Sequence, residues 1–425
     1  MFVLSSSVVL RPEPDGALMF QRETGETALL DLDGLSTLYS LLGGRLRDYP
    51  PIFVRYLEER GFIVPGSPGG SAEQVEECLE LAKATKAPFR SLSAPETVHF
   101  AVTGRCDQAC EGCFYSAQPG SEVRAEHAPF SLFEKVVRDA GRAKVFQMAL
   151  GGGEPLLHPD IVDMVRLARE HGIVANITTN GNLLNCEMAS ALKGAGVGQI
   201  QISLNGASEE VNSRTRPNFL RAISALEACR KVGLRFGINF LITRSNAHEL
   251  ERVVKLGRRL GAASVNILRP KPPTTEGDWL RRESLDADGY RRVKQALPRL
   301  SKLAGGTKVT LDASLTFLLT SHSPDLLYRA GVWGCTAARK FVTIAQGGEV
   351  FPCSHVRWSD VGDGDFMKAW WESEVFARFR AQEDEIQGRC RTCPYLDICK
   401  GCRAVAMAFG GDFSDSDPHC PNFTK

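Results

Sequence analysis

The sequence predicts an α/β protein whose largest domain is an incomplete barrel of six parallel strands, a partial (β/α)6 barrel, flanked by a winged-helix-like module and a cysteine-rich domain. Between residues 97 and 268, short apolar runs alternate with amphipathic helical stretches, which is typical of a parallel sheet. Residues 1–64 instead combine hairpin and helix patterns. From about residue 330 the chain is rich in loops and holds seven of its 13 cysteines.

The size and charge of the chain limit its partners. With 425 residues and 43% hydrophobic content, it is long enough for one large domain and one or two smaller ones. Its formal charge of +1, from 51 basic and 50 acidic residues, gives no net field that would attract nucleic acid or an anionic membrane. We find no signal peptide and no apolar run of about 18 residues, so we expect a cytoplasmic protein without nucleic-acid or membrane partners.

The first 94 residues predict a small module and a connection. Residues 1–64 contain three strand-like runs separated by turn residues, two helical patterns and a last short strand. In chain order these elements lie at 8–10, 18–20, 29–32, 35–42, 52–61 and 62–64. Residues 65–94 predict a Gly- and Pro-rich linker over 64–71 and a bridging helix over 73–86.

Residues 95–305 predict the barrel, and residues 306–425 the cysteine-rich domain. The six barrel strands are expected at 97–102, 145–150, 174–179, 199–204, 236–242 and 264–268. Ser131 with Glu134 predicts a capping box at the start of the first helix. In barrels of this kind the loops after the strands carry the chemistry. Those loops are 104–115, 151–155, 180–183, 205–216, 243–246 and 269–272.

Three cysteines directly after the first strand predict an iron-sulfur cluster. Cys106, Cys110 and Cys113 form a CxxxCxxC triplet, which supplies three thiolates to a four-iron cluster and leaves one iron without a protein ligand. The alternative is a structural zinc site, which would need a fourth ligand close by and more often uses paired CxxC spacings.

The triplet, its place after strand one and the run Gly152-Gly153-Glu154-Pro155 after strand two resemble the radical S-adenosylmethionine (SAM) superfamily over residues 97 to about 290. The resemblance implies that the open iron chelates SAM and that one electron cleaves it to a 5′-deoxyadenosyl radical, which abstracts hydrogen from the substrate. It also implies which residues contact SAM. These are Gly152, Gly153 and Glu154 for the ammonium, Ser203 and Asn205 for the ribose or carboxylate, Arg216 (or its neighbour Arg214) for the carboxylate, and Thr178 and Asn180.

One position departs from the family pattern. The residue before the third cluster cysteine is commonly aromatic and lies near the adenine, whereas this chain has Gly112 followed by Phe114 and Tyr115 after the cysteine. Phe114 could substitute for the missing ring, or it could belong to the core.

The C-terminal cysteines resemble the SPASM extension of radical SAM enzymes, which carries two auxiliary four-iron clusters. By position, the cluster I set is Cys335, Cys353 and Cys402, and the cluster II set is Cys390, Cys393, Cys399 and Cys420. With the triplet, this implies three 4Fe-4S clusters, the cluster I set lacking a fourth cysteine. Two zinc sites are the alternative. The remaining cysteines, Cys78, Cys186 and Cys229, lie in helical patterns and are expected to be buried thiols.

The N-terminal module resembles the PqqD-like peptide recognition element of enzymes that modify ribosomally made precursor peptides. Such modules bind a leader peptide as an added strand at a sheet edge. The alternative role is a structural cap on the barrel.

These resemblances together imply a SPASM-domain peptide maturase whose partners are a leader-bearing precursor peptide and an electron donor such as flavodoxin or ferredoxin. The favoured product is an intramolecular thioether, since an open cluster I could ligate a substrate cysteine. The alternatives are a carbon-carbon cross-link, epimerisation, decarboxylation, a small-molecule substrate, or an iron-sulfur protein without radical catalysis. Ser354 stands where sulfatase-maturing relatives carry an aspartate base, and no general base is evident. Arg269, after strand six, is a possible substrate contact.

Overall fold

The computed structural model of the chain describes residues 2–45, 50–66, 70–117, 119–120, 126–272 and 278–423. Part of the predicted linker, residues 67–69, therefore lies outside the described residues. No helix in the described ranges is both long and apolar enough to span a membrane.

The barrel is formed by one sheet. The six predicted strands are at its centre, where they pair in sequence order and are all parallel. Among the described residues the sheet has nine strands, because three short strands that follow residue 305 join its two edges. The strands are β6 (Thr97–Thr103), β7 (Gln147–Gly152), β8 (Val174–Thr179), β9 (Gln199–Ser203), β10 (Phe236–Leu241), β11 (Ser264–Leu268), β12 (Lys308–Leu311), β13 (Phe341–Ile344) and β14 (Val350–Phe351). The parallel α/β class is confirmed, and the cysteine-rich segment contributes strands to the same sheet.

Long helices cover the outer face of the sheet, and two short helices lie in the chain segments that follow β9 and β11. They are α4 (Phe130–Arg142), α5 (Ile161–Glu170), α6 (Cys186–Ala195), α7 (Glu209–Asn212), α8 (Phe219–Val232), α9 (Leu250–Leu260), α10 (Trp279–Glu283) and α11 (Ala287–Ala304). α4 begins at Phe130 directly after Pro129, with no side-chain cap, so the predicted Ser131 capping box is wrong. Proline sets the backbone angle before the helix, and Ser131 already lies inside it.

The two-residue period of the strands separates core from cavity. Ala175 and Ile177 of β8 are buried in the main apolar core beneath the helices. Thr178, the next residue of β8, faces the inside of the barrel. Because successive side chains alternate in direction, each strand contributes one row to the core and one row to the interior.

The N-terminal module has its own core. β2 (Val8–Glu13), β3 (Gly16–Gln21) and β4 (Thr27–Asp31) form an antiparallel sheet with β2 and β4 at its edges, and β1 (Phe2–Leu4) pairs with β5 (Ile63–Pro65). The helices are α1 (Leu32–Leu42), α2 (Pro51–Glu59) and α3 (Ser71–Ala82). α3, predicted as a bridging helix, contributes Val75 and Cys78 to this core.

Arg11 joins the module to the barrel. Its guanidinium is buried, pairs with Glu13 at 2.7 Å and donates to the carbonyls of Ala94 and Pro95 at 2.9 Å each. Phe20 of β3 stacks on Phe146 of the barrel with ring centroids 5.0 Å apart.

The C-terminal region packs short helices around a set of aromatic side chains. The helices are α12 (Pro324–Arg329), α13 (Phe366–Glu372), α14 (Glu374–Arg380), α15 (Gln382–Glu385), α16 (Leu396–Cys399) and α17 (Arg403–Gly410). Trp358, Phe379 and Phe413 contact one another with ring centroids between 5.0 and 6.1 Å.

Candidate active site and cluster-binding cysteines

A cavity of about 390 Å³ lies inside the barrel, where the loops that follow the strands meet. We call it the reaction cavity. Its lining joins the cysteine triplet and the glycine run to inward-facing strand residues and to residues of the cysteine-rich domain. The predicted SAM contacts that line it are Gly152, Gly153, Glu154, Thr178, Asn180, Ser203, Asn205 and Arg216.

The triplet cysteines stand together at one end of the cavity. Burial raises the pKa of Cys106 to about 12, and neighbouring Cys110 adds to this rise. Burial also raises the pKa of Cys110, and Cys113 adds to it. Thiolates held so close in a low dielectric need a compensating positive charge, which bound iron supplies.

A network of amides that the sequence analysis missed holds the triplet loop. Asp107 accepts from Asn180 Nδ2 at 2.7 Å and from Asn182 Nδ2 at 3.0 Å. Gln108 is buried and donates to Asn182 Oδ1 at 3.2 Å. The side-chain amide of Asn180, which was predicted to contact SAM, therefore donates to the loop that carries the cysteines.

The glycines of the run allow two loops to approach closely. A Cβ on Gly152, whose φ is +114°, would lie 2.3 Å from the carbonyl oxygen of Thr103. A Cβ on Gly153 would lie 2.0 Å from the carbonyl oxygen of Arg105. The backbone amides of Gly153 and Glu154 donate to these same two carbonyls at 2.7 Å. The glycines thus fix the run against the triplet loop, beside the place predicted for the SAM ammonium.

The Glu154 carboxylate joins the run to the end of β8. It is 1% exposed and accepts from Thr179 Oγ1 at 2.6 Å, Asn180 N at 2.8 Å and Leu156 N at 3.1 Å. Burial raises its pKa to about 7, against the opposing effect of these hydrogen bonds. Both oxygens of the carboxylate have protein partners, so Glu154 ties the run to the end of β8.

Ser203 and Asn205 take different roles after β9. Ser203 lines the reaction cavity from the strand itself. Asn205 is buried, and its side-chain amide donates to Thr215 Oγ1 at 2.8 Å while its backbone amide donates to Asn212 Oδ1 at 2.7 Å. These bonds shape the loop that presents Arg216.

The structure separates the two arginines of that loop. Arg216 lines the cavity, and its Nε is buried with no hydrogen-bond partner among the described residues. Its charge opposes the burial-driven rise in the pKa of Cys110. Arg214 instead pairs with Glu210 at 2.9 Å on the surface. A guanidinium beside the triplet with an unused donor fits the carboxylate of SAM.

The indole of Trp279, on α10, explains why position 112 is a glycine. Gly112 has a φ of +67°, and a Cβ there would lie 2.2 Å from Trp279 Cε3. The indole therefore occupies the space that an aromatic side chain at position 112 would need. Phe114 lines the reaction cavity and is 37% exposed, so it is not part of the core.

The C-terminal cysteines influence one another in two groups. Burial raises the pKa of Cys353 to about 12, and the cysteines that add to the rise are Cys335 and Cys402. Burial raises the pKa of Cys399 and Cys420 to about 12 as well, and the cysteines that add to these rises all belong to the cluster II set. All four cysteines of the cluster II set line one cavity with Asp417.

Three cysteines lie outside the triplet and the two C-terminal sets. In the ranges that the structure covers, no group of three His, Cys, Asp or Glu side chains is arranged to hold a single metal ion. Cys78 and Cys229 are buried on α3 and α8, and Cys186 is partly exposed on α6, so none of them is available to the cluster I set.

The cavity wall beside Cys353 is polar, a feature that the sequence analysis missed. His99 Nδ1 lies 3.2 Å from Ser354 Oγ, which is 3.0 Å from Thr343 Oγ1. Burial lowers the pKa of His99 to about 4, so the imidazole is neutral at about pH 7. A histidine in an alternating strand gives no signal of its own that it faces a cavity.

Arg269, the possible substrate contact after strand six, does not face the reaction cavity. Its side chain is fully buried and pairs with Asp417 at 2.7 Å, outside the lining of the reaction cavity.

Comparison with known families matches both halves of this site. The radical SAM superfamily matches residues 100–257. The SPASM iron-sulfur cluster-binding domain matches residues 335–394.

Curated relatives align over most of the chain. Mycofactocin maturase MftC of Mycobacterium ulcerans is 30% identical over 343 residues, which are 77% of this chain and 88% of that protein. The AdoMet-dependent heme synthase of Methanosarcina barkeri is 28% identical over 353 residues, which are 77% of this chain and 97% of that protein.

Among solved structures, Streptococcus suis SuiB shares the fold over nearly the whole chain. SuiB bound to S-adenosylmethionine has a TM-score of 0.73 at 18% identity, covering 98% of this chain and 99% of SuiB. SuiB bound to precursor peptide SuiA has a TM-score of 0.69 at 17% identity, covering 95% of this chain and 96% of SuiB.

Proposed function

The chain belongs to the radical SAM superfamily and is an enzyme, and from this premise we propose that it modifies a ribosomally made precursor peptide by closing a thioether cross-link. Three 4Fe-4S clusters are part of the proposal. The triplet would hold the first, and the cluster I and cluster II sets would hold two auxiliary clusters. When bound, SAM and the first cluster supply a 5′-deoxyadenosyl radical that abstracts hydrogen from the substrate.

The chain's own residues orient SAM and keep water out. Arg216 would pair with the SAM carboxylate, and the backbone carbonyls of the glycine run would accept from its ammonium. Ser203 and Thr178 face the same space from neighbouring strands. The apolar part of the lining includes Leu241, Leu268, Phe114 and Phe351. Such a lining protects a reactive carbon radical from quenching by solvent.

The observation that carries the thioether is the place of the cluster I set. This set has three cysteines. The thiols that belong neither to the triplet nor to the two C-terminal sets lie on α3, α6 and α8. Cys353 is followed directly by Ser354 and His355, which line the reaction cavity. A cluster with one open iron would therefore stand beside the substrate, where it could bind the thiolate of a peptide cysteine.

A groove between the module and the barrel suits the leader peptide. It has a volume of about 360 Å³ and lies between the β2 edge strand and α3. Val8, Leu10 and Leu81 give it apolar walls, and Lys144 and Glu77 give it charge. The Leu10 carbonyl accepts from Lys144 Nζ at 3.4 Å, an exposed bond that a peptide amide could replace. An extended leader would add to β2 as a fourth strand.

The relative that acts as a heme synthase favours a second candidate, a small-molecule substrate. The two candidates make different demands on the module. A peptide maturase needs residues 1–64 to bind the precursor, whereas an enzyme for a small molecule does not. The electron donor in either case would be a flavodoxin or ferredoxin.

Co-expression with the short peptide encoded by a neighbouring reading frame tests the proposal. We expect mass spectrometry to show a loss of two hydrogens that disappears when the core cysteines of the peptide are replaced by alanine. A loss that survives the replacement would rule out the thioether and indicate a carbon-carbon link. An unchanged peptide mass, with iron fully loaded, would contradict a cross-link and leave only a modification without a mass change, such as epimerisation.

A further inference from the structure

The groove proposed for the leader peptide lies at the amino ends of the barrel strands. Lys144, Val145 and Phe146, which directly precede β7, line it together with His171 and Gly172, which come just before β8. The other side of the groove consists of residues from β2 and α3. Because the strands are parallel, their amino ends all lie at the same end of the barrel, which we call its bottom.

Contacts at the bottom of the barrel hold the module in place. Arg235, just before β10, donates to the carbonyl of Glu23 at 2.7 Å. Lys308, which begins β12, pairs with Glu26 at 3.0 Å. Arg11 donates to two carbonyls just before β6 at 2.9 Å each. Since the module is fixed to the amino ends of three strands, the groove stays at the bottom of the barrel.

The reaction cavity lies at the other end of the same strands. Gly152, which ends β7, and Thr179, which ends β8, both line it. β7 has six residues. At about 3.3 Å for each residue, the strand is about 20 Å long. A peptide that runs from the groove to the cavity therefore covers roughly the height of the sheet.

A layer of polar side chains fills the barrel between the groove and the cavity. Asn176 Nδ2 donates to Gln147 Oε1 at 3.0 Å. Gln201 Nε2 donates to Ser264 Oγ at 3.4 Å, and Gln201 Oε1 is buried. A Cβ on Gly237, which lies on the strand between these two residues, would be 2.5 Å from each of their side chains. The described residues of this layer leave no passage for a peptide, so its path runs outside the barrel.

The helices on the outer face lengthen this path. α4 and α5 pack against the sheet through the main core. A helix with its side chains is about 10 Å across. A peptide that leaves the groove, passes outside the helices and turns into the cavity covers roughly 40 Å. An extended chain needs about 12 residues for that distance.

We infer that the precursor peptide carries a spacer of at least about ten residues between the leader segment in the groove and the first residue that enters the reaction cavity. The substrate is thus a long peptide whose recognition segment and reacting segment occupy opposite ends of the barrel. A residue directly after the leader segment does not reach the cavity while the leader is bound. The inference rests on the proposed function, because it takes the groove as the leader site.

Photo-crosslinking of the full-length, reconstituted chain to the peptide encoded by the neighbouring reading frame tests the inference. A diazirine-bearing residue is placed at each peptide position in turn, and mass spectrometry identifies the sites that it labels. We expect one stretch of positions to label the groove, at residues 8–12 or 74–81. The first position that labels Phe114, Leu241 or Phe351 of the reaction cavity should lie at least about ten residues away from that stretch.

Leu81→Glu tests the groove itself, because Leu81 lies on its wall and is 46% exposed. This variant should abolish labelling of the groove. Leu29→Glu is the matched control, since Leu29 is 62% exposed in the same module but does not line the groove. It should label like the unsubstituted chain.

A separation shorter than the expected one would overturn the inference. Groove labelling that survives Leu81→Glu, or a peptide that labels only one of the two sites, overturns it as well. The expected labelling by a peptide whose mass stays unchanged after incubation with SAM and reductant would support the inference and count against the proposed cross-link.

Discussion

At the scale of single residues, the glycine run shows that a short motif can serve the packing of the protein itself. Gly152 and Gly153 suggest close approach by a ligand, and the structure shows close approach by the triplet loop. The spacing of the cysteines and the run could be predicted because both are local. Asp107, Asn182, Thr179 and Trp279 could not, because their partners are 25 or more residues away and each residue type has many other uses.

Gly153→Ala should weaken the cluster site. The added Cβ would meet the Arg105 carbonyl at 2.0 Å, and backbone at that distance can only move away. We expect a loss of about 1–3 kcal/mol in the free energy of unfolding and reduced iron binding. Gly151→Ala is the control, since a Cβ at that position would have nothing within 4 Å. Denaturant unfolding and iron content measure both effects, and equal behaviour of the two variants would contradict the packing argument.

Arg216→Gln should weaken SAM binding. Loss of a charge-assisted hydrogen bond to a carboxylate costs roughly 1.5–3 kcal/mol, or about 10- to 150-fold in affinity. Arg214→Gln should leave the affinity within about twofold, because its partner is Glu210 on the surface. Equilibrium binding of SAM to the reconstituted chain decides between them. A larger loss for Arg214→Gln would reverse the assignment.

At the scale of elements, the end of β8 depends on the protonation of Glu154. Its folded pKa of about 7 lies above the ordinary value of 4.5, so the folded chain binds more protons between these pH values. The contribution of this group to stability is present below pH 4.5 and is lost as pH rises through about 7. Glu154→Gln should remove this loss, which is of the order of 1–3 kcal/mol.

Unfolding free energies of the cluster-free chain and Glu154→Gln at several pH values measure this effect. Buried His99 titrates with the opposite sign, because its pKa is lowered to about 4, so only the difference between the two proteins isolates Glu154. A difference that stays constant between pH 4.5 and about 7 would show that the carboxylate is not protonated in the folded chain.

At the scale of the whole molecule, the six central strands could be predicted because each has several apolar or β-branched residues between clear helices. β12 and β13 could not, since each is only four residues long. The place of β13 in the sheet depends on tertiary structure, because this strand pairs with β6, which lies far away in the sequence. This pairing brings Ser354 and His355, which follow Cys353, to the wall of the reaction cavity, which the order of the cysteines alone does not show.

Iron removal should loosen the C-terminal region before the barrel. Burial raises the pKa of five of its seven cysteines, among them Cys353, Cys399 and Cys420, and the region has few strands of its own. Without iron, these thiols lose the bonds that hold the loops together. Limited proteolysis of chelator-treated protein should cut first within residues 330–423. First cuts within residues 97–268 would contradict this order.

The central claim is that the triplet cysteines hold a cluster that cleaves SAM reductively, and the formation of 5′-deoxyadenosine tests it most directly. The reconstituted, chemically reduced chain is incubated with SAM, and the nucleoside product is measured by mass spectrometry. We predict that the chain forms 5′-deoxyadenosine and that Cys110→Ala, with its auxiliary cysteines intact, does not. Fully loaded clusters that form no 5′-deoxyadenosine would contradict the claim and leave an iron-sulfur protein without radical catalysis.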